Sequence, residues 1–122
     1  MTQPTGDPSQ RTPQEVFEHH VQALGNEDLN ATVLDYAESA YLITPSGVMR
    51  GKDAIGQFFA GAFQALPQAQ WKVKPIFVDN ILFLEWTADS ELASVSDGVD
   101  TFVFQDGRIQ VQTVRCTIVP KK

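Results

Sequence analysis

Gly98-Val99-Asp100-Thr101-Phe102-Val103-Phe104-Gln105-Asp106-Gly107-Arg108-Ile109 reads as an apolar β-hairpin, and the β-rich run opened by Arg108 continues to Val119. Asp106-Gly107 supplies the turn between its strands. An acid stands at the head of the first strand. Strand interiors disfavour aspartate, and an ionised carboxylate on a core-facing position is costly unless it is paired or held neutral. Asp100 is therefore turned to solvent or working in a pocket, and the turn decides which closing-strand side chains share its face. A two-residue Asp106-Gly107 turn pairs Asp100 with Thr113 and sets Phe102 and Phe104 beside Val111 and Ile109, a face that local patterning favours. A three-residue Gln105-Asp106-Gly107 loop with a glycine bulge pairs Asp100 with Gln112 and turns Gln110, Val114 and Cys116 inward. One residue of slip exchanges the faces.

The rest of the composition narrows what such a pocket could serve. A chain of 122 residues with 43% hydrophobic content makes one globular domain with enough core to fold alone. The formal charge of −6, with Lys and Arg scattered singly, argues against a nucleic-acid surface or an anionic membrane as the main partner. Small neutral ligands and protein partners remain. One cysteine, Cys116, excludes an intrachain disulfide framework and fits a reducing compartment. The first twelve residues lack the apolar core of a signal peptide, and no later run reaches membrane-spanning length. The expectation is a cytoplasmic protein with a flexible lead over residues 1–12 and a single domain over residues 13–122.

Helices come first along the chain. Thr12-Pro13-Gln14-Glu15 has the form of a capping box with proline at the first helical position, and Val16, Phe17, His20, Val21 and Leu24 then fall near one face. His20 lies inside that apolar stripe and His19 mostly outside it. A second short helix fits residues 28–37, with Leu29, Val33, Tyr36 and Ala37 on one face. Residues 40–44 are strand-like and end at Pro45, and Gly47 to Gly51 belongs to a turn that leads into the third helix. That helix has the clearest period in the chain: Ile55, Phe58, Phe59, Ala62, Phe63 and Leu66, stopped by Pro67. Everything beyond reads as sheet, with strands over residues 71–78, 81–88, 91–95, 101–104 and 108–119. Helices followed by antiparallel strands give an α+β domain in which a curved sheet wraps the helices.

The order of elements, with His20-Val-Gln-Ala-Leu-Gly-Asn-Glu-Asp-Leu, Leu42-Ile-Thr-Pro, Gly51-Lys-Asp-Ala-Ile-Gly-Gln-Phe-Phe and the Asp100 hairpin, resembles the NTF2-like superfamily. Within it the chain is most similar to the SnoaL-like and ketosteroid-isomerase-like proteins, over residues 13–119. The resemblance implies an NTF2-like (cystatin-like) cone: three helices packed in a curved antiparallel sheet around a deep apolar pocket, in a homodimer formed through the outer sheet face. It also selects the three-residue hairpin loop. Asp100 stands where the isomerases have an acid that stays protonated and donates a hydrogen bond to the developing enolate. Thr44 occupies the place of their catalytic aspartate base, and a hydroxyl without an activating neighbour does not abstract a carbon-bound proton at useful rates. His20 replaces the oxyanion-hole tyrosine of the first helix, Tyr36 matches a supporting position on the second, and Phe59 stands where a further tyrosine often lies. The usual steroid isomerase mechanism is therefore not expected.

What remains is a candidate acid–base set of Asp100, His20 and Tyr36, in which an imidazole, a phenol and a carboxyl group suffice for proton transfer if one holds a proton and another accepts it near neutral pH. Thr44, Phe59, Trp86, Phe102, Gln112 and Cys116 are the candidate ligand-lining residues. Other chemistries drop out. His19 and His20 are adjacent on a helix, point apart and do not make the spaced pair of a zinc site. Cys116 has no cationic neighbour except Arg115 on the opposite face, which does not activate a thiol. No glycine-rich phosphate loop follows a strand, so the motifs imply neither a metal nor another cofactor. Epoxide hydrolases on this scaffold use two acids bridged by an arginine, and residues 108–119 contain no second acid. The expected function is binding of a small, largely apolar ligand carrying oxygen functions, with isomerase, cyclase or hydratase chemistry. The alternative is a non-catalytic ligand carrier or dimeric interaction module.

Overall fold

The computed structural model describes residues 8–121, so residues 1–7 of the expected lead lie outside the described residues. A 3-10 turn, Pro8–Gln10, precedes Arg11, whose guanidinium donates to the Asp35 carboxylate at 3.1 Å and to the Gly107 carbonyl at 2.8 Å. Helix α1, Pro13–Gly25, opens on the expected capping box: Thr12 Oγ1 accepts from the Glu15 amide at 3.1 Å, and Glu15 Oε1 accepts from the Thr12 amide at 2.8 Å. Two of its orphan donors are thereby satisfied. Its buried face is Val16, Phe17, His20 and Ala23.

Helix α2, Leu29–Leu34, is capped by Asp28, whose carboxylate accepts from the Ala31 amide at 3.1 Å. It stops short of the expected residue 37. The Asp35 carbonyl accepts the Ile109 amide at 2.8 Å, which pulls the chain out of the helix and lays Tyr36 beside Ile109 at the start of β1, Tyr36–Thr44. Tyr36 therefore sits on a strand and not on the second helix. The segment expected as a turn continues as β2, Gly47–Arg50, which pairs back on β1 from Thr44 opposite Gly47 to Tyr41 opposite Arg50. Helix α3, Gly51–Ala65, follows directly and buries Ile55 and Phe59.

The sheet is completed by β3, Gln70–Val78; β4, Ile81–Asp89; β5, Ala93–Gln105; β6, Arg108–Arg115; and β7, Val119–Pro120. Its order is β2-β1-β6-β5-β4-β3, with β7 pairing on β5. The expected all-antiparallel sheet is mixed, because β1 runs parallel to β6. No hairpin joins those two strands, and only sequential hairpin neighbours are forced to be antiparallel. The two strands expected at 91–95 and 101–104 form one 13-residue strand that runs through Gly98. Gly98 lies opposite Trp86, and a Cβ there would meet the indole ring at 2.2 Å. Glycine at this position gives the indole its place. The closing strand stops at Arg115, before Asp97 takes the Thr117 amide and hydroxyl at 2.8 Å each.

The decisive hairpin combines parts of both expected forms. Asp106 and Gly107, at φ of 53° and 74°, make a two-residue turn with Gln105 opposite Arg108. A bulge at Gln110 then shifts the register, since Phe104 faces Ile109 while Val103 faces Val111. Asp100 consequently pairs with Val114, neither with the expected Gln112 nor with Thr113. Gln112 and Val114 are inward and buried, whereas Gln110 leans out to donate to the Ser39 carbonyl at 3.3 Å. The core lies between α1, α3 and the concave face, where Phe17 meets Phe77 and Phe102 edge-on at 5.9 and 6.3 Å. Among the described residues no helix is long and apolar enough to cross a membrane.

Candidate functional site

A cavity of about 580 Å³ opens between α1, α3 and the concave face of the sheet. Phe17, Phe58, Phe59, Trp71, Leu84 and Phe102 make most of its wall apolar. His20 from α1, Asp100 from β5 and Gln112 from β6 bring polar atoms to it. Thr44, Trp86 and Cys116 also line it, so the six side chains expected at the ligand and two of the three expected to do chemistry share one space. Tyr36 does not line the cavity. It is fully buried behind His20 and Gln112, with its ring edge-on to His20 at 5.4 Å.

Strand alternation places Asp100 on the concave face, since Phe102 and Phe104 below it are buried. Its carboxylate accepts two donors: Trp86 Nε1–H at 2.9 Å on one oxygen and Gln112 Nε2–H at 2.9 Å on the other. Burial raises its pKa, and these two hydrogen bonds offset only part of that, leaving it at about 6. Gln112 is the diagonal rather than the direct cross-strand neighbour, a separation that a long side chain spans. Its amide oxygen accepts the Tyr36 hydroxyl. Tyr36 in turn stands 3.3 Å from His20 Nε2, and His20 Nδ1 stands 3.3 Å from Asp35.

Asp35 was not singled out from the sequence, and it closes this chain. Its side chain is fully buried and also receives His19 Nδ1 at 2.9 Å and Arg11 at 3.1 Å. His19 and His20, expected to point apart, converge on one carboxylate because Asp35 ends α2 between them. Burial pushes the Asp35 pKa up, yet the hydrogen bonds from His20 and His19 outweigh it and hold the group below the usual carboxylate range. The signal that could have revealed it is electrostatic: an acid at a helix C-terminus opposes the macrodipole and needs a separate reason to be there.

The remaining groups are set by the same forces. Burial pushes the Tyr36 phenol well above its usual value, with the Asp100 and Asp35 charges adding to it. Burial, then Asp100 and Asp97, raise the Cys116 thiol, which disfavours the thiolate. Thr44 is held by its turn, its hydroxyl accepting the Ser46 amide at 3.1 Å and donating to the Gly47 carbonyl at 3.4 Å. Two buried carboxyl groups with opposite pKa displacements, Asp35 ionised and Asp100 near neutrality, flank a linked His20, Tyr36 and Gln112. Such divergence is how one site holds an acid and an anion together.

Helices cupped in a curved mixed sheet, with a cavity between them, define a cystatin-like, or NTF2-like, α+β domain. Residues 17–112 match the family model of the SnoaL-like domain, and the chain belongs to that family. Among solved structures it is similar to a SnoaL-like protein of unknown function from Burkholderia thailandensis, at 17% identity and TM-score 0.72, covering 93% of this chain and 99% of that one. It is also similar to a putative ketosteroid isomerase from Kribbella flavida, at 13% identity and TM-score 0.72, covering 90% of this chain and 81% of that one. A putative polyketide cyclase from Sinorhizobium meliloti is similar at 16% identity and TM-score 0.64, covering 81% of this chain and 92% of that one. At these identities the likeness shows the fold. No curated protein matches the chain.

Proposed function

We propose that the protein binds a small, largely apolar ligand carrying one or two oxygen functions and acts on it by proton transfer at Asp100, as an isomerase, cyclase or hydratase would. The observation that carries this reading is the Asp100 carboxyl group itself. It stands in a mostly apolar cavity, held by two N–H donors, with a pKa of about 6. A carboxyl group titrating near neutrality serves as donor and as acceptor at the same pH. A cavity of about 580 Å³ is in the ordinary range for small-molecule sites. The names of two structural neighbours, a putative ketosteroid isomerase and a putative polyketide cyclase, support chemistry of this class. Thr44 in the place of a second acid leaves Asp100 and His20, which line the same cavity, as the acid–base groups, with Tyr36 acting behind them.

A ligand carrier is the second reading, favoured by the engagement of both His20 nitrogens by Asp35 and Tyr36. The two are separated with 2-tetralone, a bicyclic ketone whose protons next to the carbonyl exchange with D2O and are followed by NMR. Quenching of tryptophan fluorescence reports binding, because Trp71 and Trp86 both line the cavity. The expected result is exchange accelerated about 100-fold or more over buffer, lost in Asp100→Asn while quenching persists. Quenching without accelerated exchange in the native protein supports the carrier. The proposal also includes a homodimer through the outer sheet face under either reading, supported by exposed Ile76, Val78, Ile81 and Phe83 on adjacent strands.

A further inference from the structure

Asp35, His20, Tyr36, Gln112, Asp100 and Trp86 form one unbroken hydrogen-bonded chain. Its ends are fixed, because the Trp86 indole only donates and an ionised Asp35 only accepts. Between them the orientation of the Gln112 amide sets the direction of the middle bonds. With Gln112 Nε2 turned to Asp100, that carboxyl group accepts from both sides, as an anion or with a proton turned to the cavity. Gln112 Oε1 then takes the single Tyr36 proton. His20 Nε2 faces a phenol oxygen that has no proton left to give, so it donates. His20 Nδ1 faces Asp35 and donates as well. In this form His20 is an imidazolium, whichever state Asp100 holds.

A half-turn of the Gln112 amide exchanges its nitrogen and oxygen, which are nearly the same size, and leaves the packing as it was. Every bond in the middle of the chain reverses. Nε2 donates to the Tyr36 oxygen, Tyr36 donates to a bare His20 Nε2, and Oε1 requires a proton on Asp100. Both ionisable groups are now neutral. Starting from the Asp100 anion the proton count is the same: His20 Nε2 loses one proton to water, Asp100 gains one from water, and no other bond forms or breaks. The form with an ionised Asp100 and a neutral His20 leaves a link broken at Tyr36 or at Asp35, where exposure is 0% and water does not compensate.

We propose that Gln112 is a positioning residue that ties the protonation state of Asp100 to that of His20, so that an ionised Asp100 is always accompanied by an imidazolium. The coupling goes beyond the proposed reaction and holds whether or not Asp100 turns over a ligand. The titratable and charged groups facing it are Arg11, His19 and Asp35 on the His20 side, with Cys116 on the Asp100 side and Tyr36 between.

Asp100→Asn tests the coupling, because Trp86 fixes the orientation of the new amide. Its oxygen must meet the indole N–H, so its nitrogen meets Gln112 and holds Gln112 in the reversed orientation. The ratio of imidazolium to neutral His20 at fixed pH, read from ring nitrogen chemical shifts, is expected to fall about tenfold. Loss of the Asp100 charge through space would lower it too, so the same substitution is made in Gln112→Leu and, independently, in Tyr36→Phe, which preserves the volume of the ring. In both backgrounds the effect of Asp100→Asn is expected to shrink to less than about twofold. A shift of equal size with the chain cut, or no shift in the intact chain, overturns the proposal.

Discussion

Asp35 and Asp100 are both buried acids, and their surroundings drive them in opposite directions. Asp100 titrates at about 6 in the folded chain against 3.8 for the free group. A raised carboxyl pKa means that the native state holds the proton more tightly, so the contribution to stability is present below about pH 3.8 and is lost as pH rises through about 6. Asp100→Asn mimics the protonated form. It is expected to stabilise the protein at pH 7.5 by on the order of 1–3 kcal/mol and to have no such effect at pH 3.5, as read by urea denaturation at the two pH values. Asp35 has the opposite sign: its lowered pKa contributes stability above the ordinary carboxylate value, lost on acidification through its folded pKa. Asp35→Ala strands Arg11, His19 and His20 without their common acceptor and is expected to cost roughly 3–5 kcal/mol at pH 7. A loss below about 1 kcal/mol in the same denaturation assay would show that the three donors find other partners.

Three element-level features decide how those residues meet. The first is the α2 to β1 junction, where one backbone hydrogen bond from Ile109 to Asp35 moves Tyr36 from a helix face to a strand. The helical period of Leu29, Val33, Tyr36 and Ala37 was a true pattern with a competing tertiary bond, and the bond won. The second is the Gln110 bulge, which corrects the register of a two-residue turn so that Gln112 still faces inward. Asp-Gly made the turn legible, whereas no local residue type marks the bulge. The third is Gly98, which makes room for the Trp86 indole that holds Asp100. Gly98→Ala is expected to displace the indole, destabilise the domain by more than about 2 kcal/mol and lower the Asp100 contact with it. Near-ultraviolet circular dichroism of Trp86 and thermal denaturation read both effects; an unchanged tryptophan signal would count against the close packing described.

At the scale of the whole molecule the concave face of the sheet holds the cavity, and the convex face carries an apolar patch at one end of β3 and β4. Ile76 lies opposite Phe83 and Val78 opposite Ile81, so these exposed side chains form one patch, with half-buried Val103 beside Ile81. Phe83→Glu is expected to convert a homodimer into a monomer without altering 2-tetralone binding, as measured by sedimentation velocity and tryptophan quenching. A native protein that sediments as a monomer at tens of micromolar would remove the dimer from the account.

Hydrophobic periodicity and capping residues are local, so the chain alone determined the α+β class and the first and third helices, and Asp106-Gly107 marked where the hairpin turns but not its register. The chain's resemblance to the SnoaL-like proteins carried the architecture. The parallel pairing of β1 with β6, the single long β5, the register at Asp100 and the role of Asp35 depend on groups far apart in sequence. Only the folded chain brings Asp35 between two adjacent histidines, or sets Gln112 between Tyr36 and Asp100. Protons are shared along that chain according to distances of a few ångströms, and such distances are products of packing rather than of residue order.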